Sequence, residues 1–374
     1  MILKNCDMKT FSKRCKNKQI ACYGIGGEFE RIMDSYSNYE WFDKIKLLVD
    51  GNAAKEGNSW EIKNRVYKIV SLEYLCSHIT SETVILITCA AYYEVVQTLN
   101  LIAELDQVEC YLFHFMFSQS ENETISIRQN ELSTIPPLIH YCWFGGNELP
   151  DLYKRCIDSW HKWCPNYEIK EWNENNCDIN ETLFTQQAYE SKKYGFVPDY
   201  FRLKIIYEYG GIYLDTDVEI VKNIDDLRYN EAFCGLEFPG EVALGLGFGA
   251  RKNHPLMQKL MERYKTMSFL NSDGSTNEIG SPVFQSADLR EFGMSSENRL
   301  QLIQGMTIYP VEVLSPQNVY TGITNISENT YMWHHYDGSW VSGERLKRKK
   351  KRQAESAELQ RIIEKNEGNL KYVR

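Results

Sequence analysis

Several things are missing from this chain. No apolar run is long enough to span a membrane. The N-terminus, Met1-Ile-Leu-Lys-Asn-Cys-Asp-Met8, has no signal-peptide core. The eleven cysteines include no zinc-type CxxC pair, so they are expected to be free thiols in a reducing cytoplasm. There is no internal repeat. Positive charge is also short. A net charge of -9 gives the chain as a whole no attraction for nucleic acid.

What remains is the composition of an ordinary soluble protein, 43% hydrophobic and 25% charged, and 374 residues suggest two domains. Aromatics reach 13%, which suits stacking on sugars or bases and equally suits large cores. Apolar runs at Gln19–Tyr23, Lys46–Val49, Val84–Ile87 and Cys110–Phe113 alternate with helical spacing at Glu28–Tyr36 and Tyr92–Leu105. This alternation predicts a Rossmann-like parallel sheet over residues 1–120, an accessory domain that does no chemistry. A polar stretch, 121–134, reads as a linker. A second α/β domain is expected over 135–342, followed by a charged C-terminal helix over 343–374.

The strongest chemical signal runs from Val197 to Val218. A helix with Pro198 at its start stops at Gly210-Gly211 and leads into an apolar strand, Ile212-Tyr-Leu214, that ends in Asp215-Thr-Asp217. Side chains alternate along a strand, so the two aspartates are expected on one face. Two adjacent carboxylates at a buried strand end are costly unless a cation compensates. Mg²⁺ or Mn²⁺ holding a diphosphate would do so. The plainer alternative is a pair of turn or surface residues.

Asp199 and Arg202 share one helix face. They read either as a capping acid with a surface ion pair or as groups that hold sugar hydroxyls and phosphate. Trp143 follows a buried strand and is either core or a platform for a base. His334 and His335 are either a structural pair or the source of a further metal ligand. Gly24-x-Gly26-Gly27 with Asp50 is close to a dinucleotide fingerprint, but Phe29 occupies the place of the last glycine. Arg345 and Lys347 to Arg352 form a basic block, either a solvated tail or a contact for an anionic membrane leaflet.

Taken in order, Ile135-Pro-Pro-x-Ile-His-Tyr-Cys-Trp-Phe-Gly-Gly146, Ser159-Trp160, Glu171-Trp-Asn173, Asp199-Tyr-x-Arg202, Tyr209-Gly-Gly-Ile-Tyr-Leu-Asp-Thr-Asp217 and His334-His-x-x-x-Ser-Trp340 resemble the DxD-containing glycosyltransferase family 32. That family includes bacterial capsular and lipooligosaccharide enzymes and yeast mannosyltransferases, and is related to the clostridial glucosylating toxins. The resemblance implies a GT-A fold and a metal-dependent retaining transfer from a nucleotide-sugar, a UDP-sugar first among candidates. The acceptor would be a glycan or a lipid-linked oligosaccharide in surface polysaccharide or capsule biosynthesis.

By position, the resemblance implies that Trp143 stacks on the donor base and Tyr213 lines the nucleotide pocket. Asp199 and Arg202 would hold the donor sugar. Asp215 would touch ribose, sugar or metal-bound water, and Asp217 would bind Mn²⁺ or Mg²⁺. His334 or His335 would be the late metal ligand, with Ser339 and Trp340 near the diphosphate. Tyr336 stands where the family often has Trp. Such an enzyme would be cytoplasmic, and its basic block would meet the inner membrane face. Two other classes remain: a sugar-nucleotide oxidoreductase with NAD on the N-terminal glycine turn, and a non-catalytic nucleotide-sugar-binding protein.

Overall fold

The computed structural model of the chain describes residues 1–62, 65–117, 125–338 and 343–368. The first sheet contains β1 (Ile2–Lys4), β2 (Gln19–Tyr23), β3 (Ile45–Val49), β4 (Ser59–Ile62), β5 (Arg65–Val70), β6 (Thr83–Ile87) and β7 (Glu109–Leu112), in the order β1-β7-β6-β2-β3-β5-β4. All neighbours are parallel except β4 and β5. β6 is buried throughout, as expected of a central parallel strand covered on both faces. Helices α1 (Gly27–Tyr36) and α2 (Tyr92–Leu99) follow β2 and β6. Strand order reverses between those two strands, the position where doubly wound sheets open a crevice.

The second sheet is mixed. Its strands are β8 (Leu138–Cys142), β9 (Glu168–Trp172), β10 (Gly211–Tyr213), β12 (Ala232–Glu237), β13 (Glu241–Val242), β14 (Phe248–Ala250), β15 (Gln301–Ile303) and β16 (Met306–Tyr309). The order is β15-β16-β12-β14-β10-β8-β9, with β13 on β12. β9, β8 and β10 run parallel, whereas β14 is antiparallel to both β10 and β12. A separate antiparallel pair, β11 (Val218–Ile220) and β17 (Met332–His334), sets Val218 opposite His334. Helix α3 (Asp151–Trp163) packs on β11, and α4 (Pro198–Tyr209) leads into β10. Residues 118–124 of the polar stretch lie outside the described residues. From Ile125 on, it lies against the second sheet, with the Gln129 and Asn130 N–H groups both donating to the Tyr229 carbonyl.

The two sheets belong to units that pack on one another. Tyr36 donates to the Pro239 carbonyl at 2.8 Å, Asn298 to the Phe117 carbonyl at 3.0 Å and Asn318 to the His114 carbonyl at 3.0 Å. The charged C-terminal segment, α5 (Gly343–Asn366), is a second bridge. Its only buried residues are Ser356, Leu359 and Ile363, a one-sided stripe at helical spacing. Leu359 and Ile363 enter the core of the first sheet, Ser356 Oγ lies 2.6 Å from Tyr92 Oη, and Asn366 donates to the Leu3 carbonyl. The segment is therefore not a free tail, although the basic block ahead of this stripe keeps Arg348 and Lys351 largely exposed. Three apolar or small residues are enough to seat it because the other faces keep their charges in water. Among the described residues no helix is long and apolar enough to cross a membrane, and the eleven cysteines are unpaired.

Candidate active site

The site is built from one glycine turn. Gly210 ends α4 with φ 69°, and Gly211 follows with φ 104°. A Cβ on Gly210 would strike the Lys252 backbone and Pro136, and one on Gly211 the Leu138 carbonyl and the His140 ring. Only glycine lets the chain turn so close to β8. Buried His140 fixes the turn: Nε2–H donates to the Gly210 carbonyl at 3.0 Å, while Nδ1 accepts from Trp172 Nε1 at 3.2 Å. Burial pushes its pKa down to about 4, so it stays neutral.

β10 stops at Tyr213, so Asp215 and Asp217 stand in the turn between β10 and β11 and not on a strand. The alternation argument is corrected accordingly; a turn closed by Val218 N–H on the Asp215 carbonyl brings the carboxylates together. α3 holds the far side of that turn. Trp160 Nε1 donates to the Val218 carbonyl at 2.7 Å, and Ser159 Oγ accepts from Ile220 N–H at 2.9 Å.

The segment after β17 then wraps Asp217. His334 Nε2 lies 3.1 Å from its Oδ1, Asp337 N–H donates to its Oδ2 at 3.0 Å, and His335 N–H donates to its carbonyl at 3.0 Å. Burial works against the Asp217 carboxylate, but His334 and the N–H groups of Asp337 and of Asp217 itself outweigh it and hold its pKa at about 2. Burial likewise opposes the His334 cation, yet Asp217 raises its pKa above the ordinary value.

Asp215, Asp217 and His334 each turn one ligand atom into a common space, all within 4.8 Å of one another. Buried His334 Nδ1 has no protein partner. Two carboxylates and an imidazole fit a divalent cation such as Mn²⁺ or Mg²⁺.

Arg202 is buried and reaches two acids, Asp199 Oδ1 at 3.1 Å and Asp215 Oδ1 at 3.4 Å, over the Tyr213 ring at 5.2 Å. A surface ion pair is thus excluded. Burial lifts Asp199 to about 6, against the pull of Arg202, while Asp215 adds to the rise. Burial also disfavours the guanidinium, but Asp215 and Asp199 keep it charged. These groups line a cavity of about 1100 Å³ that Trp143 also lines. Trp143 donates to the Asn147 carbonyl at 2.6 Å and stands edge-on to Tyr153.

Asp199, Arg202, Tyr213, Asp215, Asp217, His334 and Trp143 therefore share one cavity. His335 does not join them. It is next in the chain to His334 but bonds Glu219 at 2.9 Å and stacks on Trp333, so its candidacy as a metal ligand is corrected. Ser339 and Trp340 lie outside the described residues.

Sequence reasoning missed three contributors. Gly245 sits where any Cβ would overlap Asp215 Oδ2, and nothing local marks it out. Glu237 lines the cavity with its pKa raised to about 7 by burial, and it accepts from Tyr336 Oη at 3.1 Å. Arg345, Arg348, Lys349 and Arg352 of α5 also line the cavity.

The N-terminal glycine turn is closed by its own residues. Asp50 Oδ2 accepts from Ile25 N–H and from Lys55 Nζ, both at 2.8 Å. The Cys89 side chain fills the space in front of Gly24. The acid that would take a ribose hydroxyl is already engaged.

Residues 150–234 match the family model described as glycosyltransferase sugar-binding region containing DXD motif. Inositol phosphoceramide mannosyltransferase 3 of Schizosaccharomyces pombe is 29% identical over 153 residues, covering 38% of this chain and 41% of the relative. The chain thus spans less than half the length of that relative. An uncharacterized glycosyltransferase of Acanthamoeba polyphaga mimivirus is 26% identical over 221 residues, covering 55% and 84%. Among solved structures, PaToxG glycosyltransferase aligns with a TM-score of 0.32 at 19% identity, over 42% of this chain and 68% of that one.

Proposed function

We propose, taking residues 150–234 as a glycosyltransferase sugar-binding region containing the DXD motif, that this protein is a metal-dependent glycosyltransferase of GT-A type. It would move a hexose from a nucleoside-diphosphate sugar to a hydroxyl of a glycan or lipid-linked acceptor. One observation carries this reading: Asp215, Asp217 and His334 converge beside the buried Asp199–Arg202 pair in one cavity.

Asp215, Asp217 and His334 would hold the cation, which when bound supplies charge that offsets a diphosphate leaving group. Arg202, fixed by two acids, presents a rigid fork for sugar or phosphate oxygens. Asp199 accepts sugar hydroxyls on the same cavity wall. Trp143 offers a ring for the base. In the transfer, the bond from the anomeric carbon to the diphosphate oxygen breaks and a bond to the acceptor oxygen forms. The acceptor proton leaves with the phosphate, and the configuration is retained. No cavity side chain is assigned as a covalent nucleophile.

The second reading, an NAD-dependent oxidoreductase, has less support because Asp50 and Cys89 occupy the dinucleotide position. Membrane contact through the basic block loses ground too, since four of its seven basic residues line the cavity. The two units, 1–120 and 135–342, are proposed as accessory and catalytic. Thermal-shift screening of nucleotide sugars with and without Mn²⁺ tests the proposal. Stabilisation by a nucleotide sugar only with Mn²⁺ supports it, and no response to any nucleotide sugar overturns it.

A further inference from the structure

We propose that the cavity-facing side of α5 is a phosphate-binding wall, separate from the cation ligands, with Arg345 and Arg348 as its principal groups. Arg345, Arg348, Lys349 and Arg352 recur at helical spacing and line the cavity that holds Asp215 and Asp217. Their protein partners leave the charge largely uncompensated. Arg352 donates to the Tyr320 carbonyl at 2.9 Å and lies 3.6 Å over its ring, and Lys349 donates to the Tyr336 carbonyl. Arg348 has only a 3.8 Å contact with Glu344, both side chains more than 80% exposed. Arg345 makes no hydrogen bond or ion pair among the described residues. Carbonyls and rings carry no net negative charge, so four like charges on one face still repel.

Glu278 acts on Arg345 and Glu28 on Arg352 without an ion pair to either, so close counter-charge is left to a ligand. It must also be small. Lys349 and Arg352 are half-buried on the wall of a concave cavity, so a flat membrane surface does not reach all four. The acids of the floor are mostly engaged, Asp199 and Asp215 by Arg202 and Asp217 by His334, although Asp217 still acts on Lys349. Arginine forks match phosphate oxygens in charge and geometry. Two sources fit: the diphosphate of the donor, or a phosphate on the acceptor. Only this question of source rests on the glycosyltransferase reading.

The test uses the full chain and inorganic pyrophosphate, by isothermal titration at low salt in EDTA. Wild type is expected to bind without a divalent cation, more weakly as salt rises. The double variant Arg345→Gln/Arg348→Gln, both positions exposed, should fold normally and lose about tenfold or more in affinity. Lack of binding by wild type, or equal affinity in a folded double variant, overturns the wall.

A second titration, of uridine and guanosine diphosphates with Mn²⁺, separates the sources. Weaker nucleotide binding by the double variant assigns the wall to the donor. Unchanged nucleotide binding beside lost pyrophosphate binding assigns it to a phosphorylated acceptor. If wild type binds pyrophosphate but neither nucleotide, the wall stands and the nucleotide-sugar reading for these two bases fails.

Discussion

Nε2 of His334 lies 3.1 Å from Oδ1 of Asp217, although one stands on β17 and the other in the turn after β10. The pairing of β11 with β17 makes this possible, since it sets Val218 opposite His334. An acid and a base from distant parts of the chain thus meet beside a second acid. Without a cation their own ion pair compensates the charge; under the proposed function both would turn to a bound cation as ligands.

Asp217→Asn keeps the shape and removes the charge. Turnover is expected to fall about 100-fold or more, because the cation's contribution to leaving-group stabilisation amounts to several kcal/mol. The melting temperature should fall as well, because the variant leaves His334 without its buried partner, so turnover is compared at a temperature where both proteins are folded. Full turnover of the variant, or of wild type in excess EDTA, would remove the metal role.

Gly245→Ala is a sharper probe of geometry. The added methyl would overlap Asp215 Oδ2 and only touch Arg202, with no change in charge or in any candidate ligand. Displacing Asp215 by even 1 Å is expected to cost about 100-fold in turnover. Overpacking should cost about 1–3 kcal/mol of stability. A variant as active as wild type would show that Asp215 does not need its present position.

Local features made much of the site legible. Gly210-Gly211 announces its turn because glycine alone tolerates that backbone. The central strands of the first sheet show as short runs of Ile, Leu and Val, whereas β12 (Ala232–Glu237) and β14 (Phe248–Ala250) of the second carry no such run. What stayed hidden depends on contacts across the chain. Alternation aligned Asp215 and Asp217 for the wrong reason, because the strand ends at Tyr213, before either of them. Nothing in His334-His335 says which imidazole faces the acids until β17 is paired. The Ser356, Leu359 and Ile363 stripe was masked by the charges around it. The turn of the basic block into the cavity followed only from where that stripe docks.

His114 predicts an acid-sensitive junction between the units. It is buried, stacks on Tyr320 and donates from Nε2 to Glu28 at 2.7 Å, while its Nδ1 has no partner. Burial holds its pKa below the ordinary value of 6.5, despite the favourable influence of Glu28. As pH falls past 6.5 the unfolded chain takes up this proton before the folded one does. Stability should therefore drop from pH 6.5 down towards the lowered folded pKa. Urea midpoints measured between pH 7.5 and 5 should fall less steeply in His114→Gln, which cannot titrate. Parallel pH profiles for the two proteins would rule this origin out.

The last prediction concerns the first 120 residues, which the sequence suggests can be removed without loss of chemistry. Leu359 and Ile363 are buried in the core of the first sheet, and Ser356 bonds Tyr92 there. The same helix carries Arg345, Arg348, Lys349 and Arg352 into the cavity of the second unit. Anchor and wall share one rigid element of 24 residues, so loosening one end misplaces the other. Leu359→Ala should cost about 2–5 kcal/mol at the anchor. It should also weaken pyrophosphate binding, although Leu359 is not among the residues that line the cavity. A protein beginning near Ser133 exposes both apolar anchors and should lose turnover along with pyrophosphate binding. Arg202 and the cation ligands, held entirely by the second unit, should still bind Mn²⁺ if that unit folds. Undiminished turnover by the folded truncated protein would return the N-terminal unit to the role of a passive appendage.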